Sequence, residues 1–247
     1  MENIKFILRG FKMAKKNYLI FDLGASGGRA IVFKFNGETF EMDIVHRFDN
    51  LPVVINKTIY WDILRLYHEL KNGITLAVSK YKKISAIGID TWGVDFGFID
   101  KNGALISNPV NYRNKRRNNI QDELFKLIPR EELFKLTGGM LLSMMSIFHM
   151  YSLKIMDATE YKNAYKFLMM PDLFNYFLTG IASNEYTNVT LSLMYNQQKR
   201  RWEEKILNKI GISKDIFCNV EMPGTKIGQT NKSICNELGA CPRTANN

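Results

Sequence analysis

The chain has 247 residues, 46% apolar and 23% charged, the balance of a globular protein with apolar mass for one large domain or two small ones. No apolar run reaches the roughly 18 residues that cross a bilayer, and residues 1–13 lack the apolar core and small-residue site of a leader. The net charge of +10 favours anionic ligands. It comes without helix-turn-helix, zinc spacing or aromatic-interleaved basic sheet, so neither a nucleic-acid nor a membrane partner is expected.

Residues 1–16 read as an extension outside the fold, because the first good strand pattern begins at Asn17. Residues 17–23 are a short apolar run between lysines and a Gly-rich turn, which predicts a buried strand. Residues 29–35 and 39–48 continue as strands, joined at Asn36 and Gly37, a strong hairpin signal. Asp62 is placed to cap a helix in which Ile63, Leu66, Tyr67, Leu70, Ile74, Val78 and Tyr81 recur at helical spacing. Gly73 within it costs about 1 kcal/mol relative to Ala. Residues 84–91 predict another buried strand, and 94–99 a strand that turns at 101–103 to pair with the residues after Gly103. Helices are expected over 120–127, 131–136 and 147–156, then a strand over 165–169. A helix over 172–178 starts behind Pro171 and ends at Gly180. The last elements are a helix over 202–210, a short strand over 226–228 and a helix over 231–238, before an unpatterned tail at 240–247. Cys218, Cys235 and Cys241 show no C-x-x-C spacing, which argues against disulfides or zinc and fits a reducing cytoplasm.

Chemistry concentrates in two places. The first is the turn between the first two strands: Asp22, Gly24, Ala25, Ser26, Gly27, Gly28 and Arg29. The glycines permit positive φ and remove side chains that would block an anion. Successive backbone N–H groups in such a turn form an anion-binding concavity. Ser26 adds a hydroxyl and Arg29 a permanent charge. Asp22, at the strand end, is placed to hold Mg²⁺ through water. No Walker loop is present, and a strand rather than a helix comes after the turn, which excludes a dinucleotide-binding fingerprint. A plain Gly hairpin is the competing reading.

The second is the run Asp90, Thr91, Trp92, Gly93 at the end of the 84–91 strand. The carboxylate can accept bonds from paired hydroxyls, Trp92 offers a flat apolar face, and Gly93 leaves room for a ligand. Trp92 as plain core and Asp95 as a cap or turn residue stay open. Trp61 reads as helix-entry packing, and His46, His68 and His149 as structural.

These runs, together with His46 to Phe48, Asn108 to Arg113, Met170 to Asp172, Leu178 to Gly180 and Asn184 to Asn188, resemble in order the FGGY carbohydrate kinases. Within that family the pattern is most similar to the branch that phosphorylates L-rhamnulose. The resemblance covers about residues 17–239. It implies an α/β, RNase H-like (actin-like ATPase) domain with a mixed sheet and helical insertions. It implies MgATP-dependent phosphorylation of a ketose, with Ala25, Ser26, Gly27, Gly28 and Arg29 facing ATP and Asp90, Thr91, Trp92, Gly93, Tyr112 and Arg113 lining the site of a small sugar. Fuculose, xylulose and glycerol kinases of the family, and an inactive sugar- or phosphate-binding remnant, are the alternatives.

The sequence also departs from the family. The family's general base is the Asp of a His-Asp-Thr motif, and this chain contains none. The expectation is therefore a chain without a catalytic residue of its own and without the family's second, adenosine-binding domain. The last helix should then expose an apolar surface. Near Leu141 and Ser146–Ile147 the family usually has polar pocket residues, and here Leu141, Met144 and Met145 make that stretch apolar, which leaves the sugar open.

Overall fold

The computed structural model describes residues 15–115 and 119–239. Arg116, Arg117, Cys241 and the tail at 240–247 lie outside the described residues, as does most of the 1–16 extension. The first strand, β1 (Lys16–Leu23), begins one residue inside that extension. β2 (Gly27–Phe35) and β3 (Phe40–Asp49) continue from it in an antiparallel meander. The Asn36 side chain closes the second turn by accepting from the Glu38 and Thr39 amides, with Gly37 at φ 104°.

A hairpin that the residue pattern does not announce comes next, β4 (Val53–Ile55) with β5 (Thr58–Tyr60). Its tip residues Asn56 and Lys57 both take positive φ, and Lys57 hides that turn from a reading based on glycine. Helix α1 (Ile63–Tyr81) starts where expected, with the Asp62 carboxylate accepting from the Arg65 amide. β6 (Ala86–Thr91) then pairs parallel to β1, giving a four-stranded mixed sheet in the order β3-β2-β1-β6. β6 is only half-buried, contrary to the fully buried strand expected, because one of its faces lies open at the sheet edge.

Leu19, Phe21 and Leu23 point to one face of β1 and share a core with Leu66, Leu70 and Ile74 of α1. Gly73 is explained by this contact. A Cβ there would lie 2.7 Å from the Phe21 ring and 2.8 Å from the Ala30 Cβ, so the helix can approach the sheet only without a side chain. The Glu69 carboxylate on α1 meets His46 of β3 at 2.7 Å, which gives that histidine the structural role expected of it.

β7 (Phe96–Ile99) makes the expected turn: the Asp100 amide donates to Ala104 O at 2.9 Å and the Ile106 amide to Phe98 O at 3.1 Å, around a bridge from Ile99 to Leu105. Its other edge pairs with β8 (Lys166–Met169). All four β7 residues are buried. α2 (Ile120–Leu127), α3 (Arg130–Thr137), α4 (Ser146–Ile155) and a short α5 (Thr159–Lys162) form the helical insertion between β7 and β8. Their apolar side chains join Phe96, Phe98, Phe167 and Trp202 in a second core. Leu141, Met144 and Met145 pack into it.

α6 (Met170–Thr179) ends at Gly180, φ 75°, as a Gly C-cap requires, and adds Leu173, Phe174 and Leu178 to the first core. β9 (Asn184–Glu185) and α7 (Tyr186–Thr190) come next. The expected 202–210 helix starts later, because Trp202 is in β11 (Arg201–Trp202), paired with β10 (Tyr195–Asn196). The Trp202 indole N–H donates to Cys218 O, which holds the residue outside α8 (Glu204–Lys209).

β12 (Val220–Glu221) pairs with β9, but residues 226–228 form no strand. They run beside the end of α6, where Gly228 abuts Ile181. α9 (Lys232–Glu237) does not leave the apolar face expected of it. Cys235 is buried, and Ile234 and Leu238 pack on the first core. Runs of exposed apolar side chains lie instead on β3 (Phe40, Met42, Ile44) and around the β4–β5 hairpin (Leu51, Val54, Ile55), with others scattered over the surface. Among the described residues, no helix is long and apolar enough to cross a membrane.

Candidate functional site

The β1–β2 turn leaves the sheet at the carboxyl end of β1. The Gly24 amide donates to Gly27 O at 2.8 Å. None of Gly24, Gly27 and Gly28 takes a left-handed conformation, so the reason given for them from the sequence is only half right. Their role is close approach. A Cβ on Gly28 would sit 2.3 Å from the Phe48 ring, and one on Gly27 would sit 3.2 Å from Phe48 O. Two carbonyls of the turn are held from behind by Asn50, the residue after β3. Its side-chain Nδ2 donates to Gly24 O at 2.7 Å and its amide to Ser26 O at 3.0 Å. No acceptor among the described residues takes the amide protons of Ala25 or Ser26. The turn therefore presents donors outward and keeps these acceptors inward, the polarity an anion needs.

Arg29 lies opposite Asp22 in the β1–β2 ladder, and its guanidinium is paired with the Asp22 carboxylate. Both side chains remain well exposed. The expected phosphate ligand and the expected metal ligand are thus neighbours that satisfy each other. In the parallel ladder Asp22 is also in register with Asp90 of β6. Partial burial of the Asp90 carboxyl, then the negative charge of Asp22 and of Glu185, raise its pKa, and the Thr91 amide offsets part of the rise. Asp90 as a whole stays exposed at the strand end. Paired oxygen donors next to an outward-facing amide turn suit a hard cation carrying phosphate. Among the described residues, no group of three or more His, Cys, Asp or Glu is arranged to hold a metal by itself.

Beyond Thr91 the chain turns inward around Asp95, which is fully buried. Its Oδ2 accepts from the Trp61 indole at 2.6 Å, the Trp92 indole at 3.2 Å and the Tyr112 amide at 3.0 Å. The two indoles stack, with ring centroids 4.0 Å apart. Trp92 is therefore half-buried, with one face covered by Trp61. Asp95 is a structural hub, not a cap. The Arg113 guanidinium lies 4.7 Å over the Tyr112 ring. The structure thus joins Trp92 and Tyr112 through one carboxylate, with Arg113 against the Tyr112 ring.

Gly93 does not leave the room expected of it. The Leu191 side chain, 37% exposed, fills the space where a Gly93 Cβ would lie, at 2.3 Å. Asn188 of α7 sits beside it. Its Oδ1 is 3.9 Å from that Cβ position, buried and without a hydrogen-bond donor among the described residues. Asn50, Asn188, Glu185 and Leu191 carry no sequence signal as site residues. Asn and Glu on turns read as caps, and only the pairing of distant segments shows what they touch.

Two recesses of about 570 Å³ and 360 Å³ lie elsewhere, lined around Lys101 and Lys162 and around Tyr67 and Tyr176. Neither includes a residue of the turn, of 90–93 or of 112–113. The candidate site is an open rim at the strand ends.

The model of the N-terminal domain of the FGGY family of carbohydrate kinases matches residues 17–245. The chain belongs to this family. Rhamnulokinases of Oceanobacillus iheyensis and Bacteroides thetaiotaomicron are 34% and 33% identical to it over 90% and 92% of its length. The FGGY chain spans 47% of each, so it covers about half the length of the curated relatives it matches. Ligand-bound xylulose kinase from Lactobacillus acidophilus superposes with a TM-score of 0.81 at 16% identity, over 91% of this chain and 46% of that one. Plasmodium falciparum glycerol kinase with ADP gives 0.72 at 15% identity, over 91% and 46%. At such identities the likeness establishes the fold, which is the actin-like ATPase fold of sugar kinases. The FGGY match also runs past residue 239, into the stretch read as tail.

Proposed function

We propose that this chain is the sugar- and phosphate-contacting domain, residues 17–239, of a cytoplasmic kinase that converts L-rhamnulose to L-rhamnulose 1-phosphate. The observation that carries the reading is the β1–β2 turn, whose Ala25 and Ser26 amides face outward beside Asp22 and Asp90. The rhamnulokinase relatives support the sugar. MgATP, when bound, supplies the phosphoryl group and the cation that offsets its charge. On the protein side, the amides of Ala25, Ser26 and Gly27 and the Ser26 hydroxyl donate to phosphate oxygens, and Gly28 keeps the approach clear. Arg29 and Asp22, paired with each other here, would hold phosphate and cation respectively.

Asp90 accepts from a sugar hydroxyl. Trp92 and Tyr112 present apolar edges to the sugar's C–H side, and Arg113 closes the rim above Tyr112. Positioning of this kind supplies much of the catalysis in phosphoryl transfer. Asp95 takes no proton in this scheme, because it is buried under two indoles. With no His-Asp-Thr motif in the chain, we assign the proton acceptor and the adenosine contacts to a second domain.

Calorimetry on the 247-residue chain tests the reading, with L-rhamnulose, L-fuculose, D-xylulose and glycerol as titrants. Saturable heat with L-rhamnulose at the lowest concentration is expected. A preference for another sugar refutes the substrate, and no heat with any of them at millimolar concentration refutes the site. The lack of a base favours binding without turnover for this chain alone, and a coupled ADP-release assay on the same samples checks it.

A further inference from the structure

We propose that Asn50 is the positioning residue that aims the phosphate turn. The proposal rests on reading that turn as a phosphate site. Asn50 is 1% exposed and far in sequence from the turn it contacts. It makes two bonds to the turn, Nδ2 to Gly24 O and its own amide to Ser26 O. All described peptide bonds are trans. In a trans peptide the C=O and N–H point in opposite directions. Fixing Gly24 O on the Asn50 side chain therefore turns the next amide, that of Ala25, to the opposite side. Fixing Ser26 O on the Asn50 backbone does the same to the Gly27 amide. A bare Gly24–Gly27 hairpin is free to return Gly24 O to the Gly27 amide, as two-residue turns do. Asn50 takes that acceptor away.

The residue type follows from the chemistry. A short side chain with an N–H donor is needed, and Asp, Ser or Ala cannot supply it in the same place. The other end of the carboxamide is left costly. Oδ1 is buried, and no donor among the described residues reaches it. An unsatisfied acceptor at a fully buried position detracts from stability, and it is tolerable where Nδ2 serves the site.

The test uses the whole chain with inorganic tripolyphosphate and MgATP as probes. In the wild type, the Ala25 and Gly27 amide resonances should move on adding tripolyphosphate. So should the Asn50 side-chain NH₂ resonance, which should also exchange slowly with solvent. Asn50→Ala, and the near-isosteric Asn50→Asp, should weaken tripolyphosphate binding about tenfold, the worth of one hydrogen bond to a charged ligand. They should leave L-rhamnulose binding unchanged. Asn184→Ala removes an equally buried carboxamide that bonds Met169 and Phe167 away from the turn, and it should leave tripolyphosphate binding unchanged.

The inference is overturned if folded Asn50 variants bind tripolyphosphate as tightly as wild type, or if Asn184→Ala loses as much. A stationary Asn50 side-chain resonance overturns it without any variant. Wild-type protein that binds no tripolyphosphate overturns the phosphate reading of the turn, and this inference with it.

Discussion

Replacing Asp95 by Ala tests whether one carboxylate organises the side proposed to face the sugar. At least three donors converge on its Oδ2: the indole N–H groups of Trp61 and Trp92 and the Tyr112 amide. Asp95 and Trp61 are both fully buried, so in the variant the Trp61 donor cannot turn to water. A buried donor left unpaired costs about 1–3 kcal/mol. Counting the buried Trp61 in full, and the half-buried Trp92 and Tyr112 at the lower end, gives a loss of roughly 3–5 kcal/mol, close to that for breaking a buried charged network. Urea unfolding of wild type and variant followed by far-ultraviolet circular dichroism measures it. Tryptophan emission should also change, because the Trp61–Trp92 stack at 4.0 Å loses its common acceptor. A loss under about 1 kcal/mol, with unchanged emission, would refute the hub and return Asp95 to the role of a turn residue.

Gly73→Ala should destabilise by about 1–2 kcal/mol despite gaining helix propensity, because the new Cβ meets Phe21 and Ala30 at under 3 Å. An increase in the urea midpoint would refute the close-approach explanation. Burial pushes the Asp172 carboxyl up to about 8, against an unfolded value of about 3.9, with the Glu185 amide opposing the rise. This group's contribution is fully present below pH of about 4 and is lost as pH rises through about 8, since the folded state holds the proton that the unfolded state has released. Asp172→Asn should flatten that slope in urea midpoints between pH 5 and 9, as rough bounds, and an unchanged slope would falsify the assignment. Gly93→Ala should push the Leu191 side chain aside and weaken L-rhamnulose binding, which calorimetry reads. Unchanged affinity would separate Gly93 from the sugar site. Arg29→Ala should change stability by under about 1 kcal/mol, as for exposed ion pairs, yet reduce MgATP binding. Equal nucleotide affinity would show that Arg29 serves only Asp22.

Much of the architecture was legible in the residues. The alternation and apolar runs of β1 to β3, the Asn36–Gly37 turn, the Asp62 cap and the Gly180 stop are local signals, and the structure uses them as local physics requires. The missed elements had no such signal. The β4–β5 hairpin turns on Lys57 at positive φ, and β11 ends in a Trp that also fits a helical pattern. The residues after Gly103 pair with one edge of β7 as their spacing suggests, but the pairing of its other edge with β8 spans the whole helical insertion, which no spacing argument reaches.

The site divides in the same way. Residue types and their order along the chain marked the candidate site, at 22–29, 90–93 and 112–113, because glycines, a strand-end carboxylate and aromatic residues carry their meaning in their own side chains. Only the tertiary structure decided how these groups act together. It paired Arg29 with Asp22, set Asp22 beside Asp90, buried Asp95 beneath two indoles, filled the Gly93 gap with Leu191 and braced the turn with Asn50. Apart from the Arg29–Asp22 pair within one hairpin and the Trp92–Asp95 bond, those are contacts between segments distant in sequence, whose direction is set by strand register and core packing and is carried by no short motif.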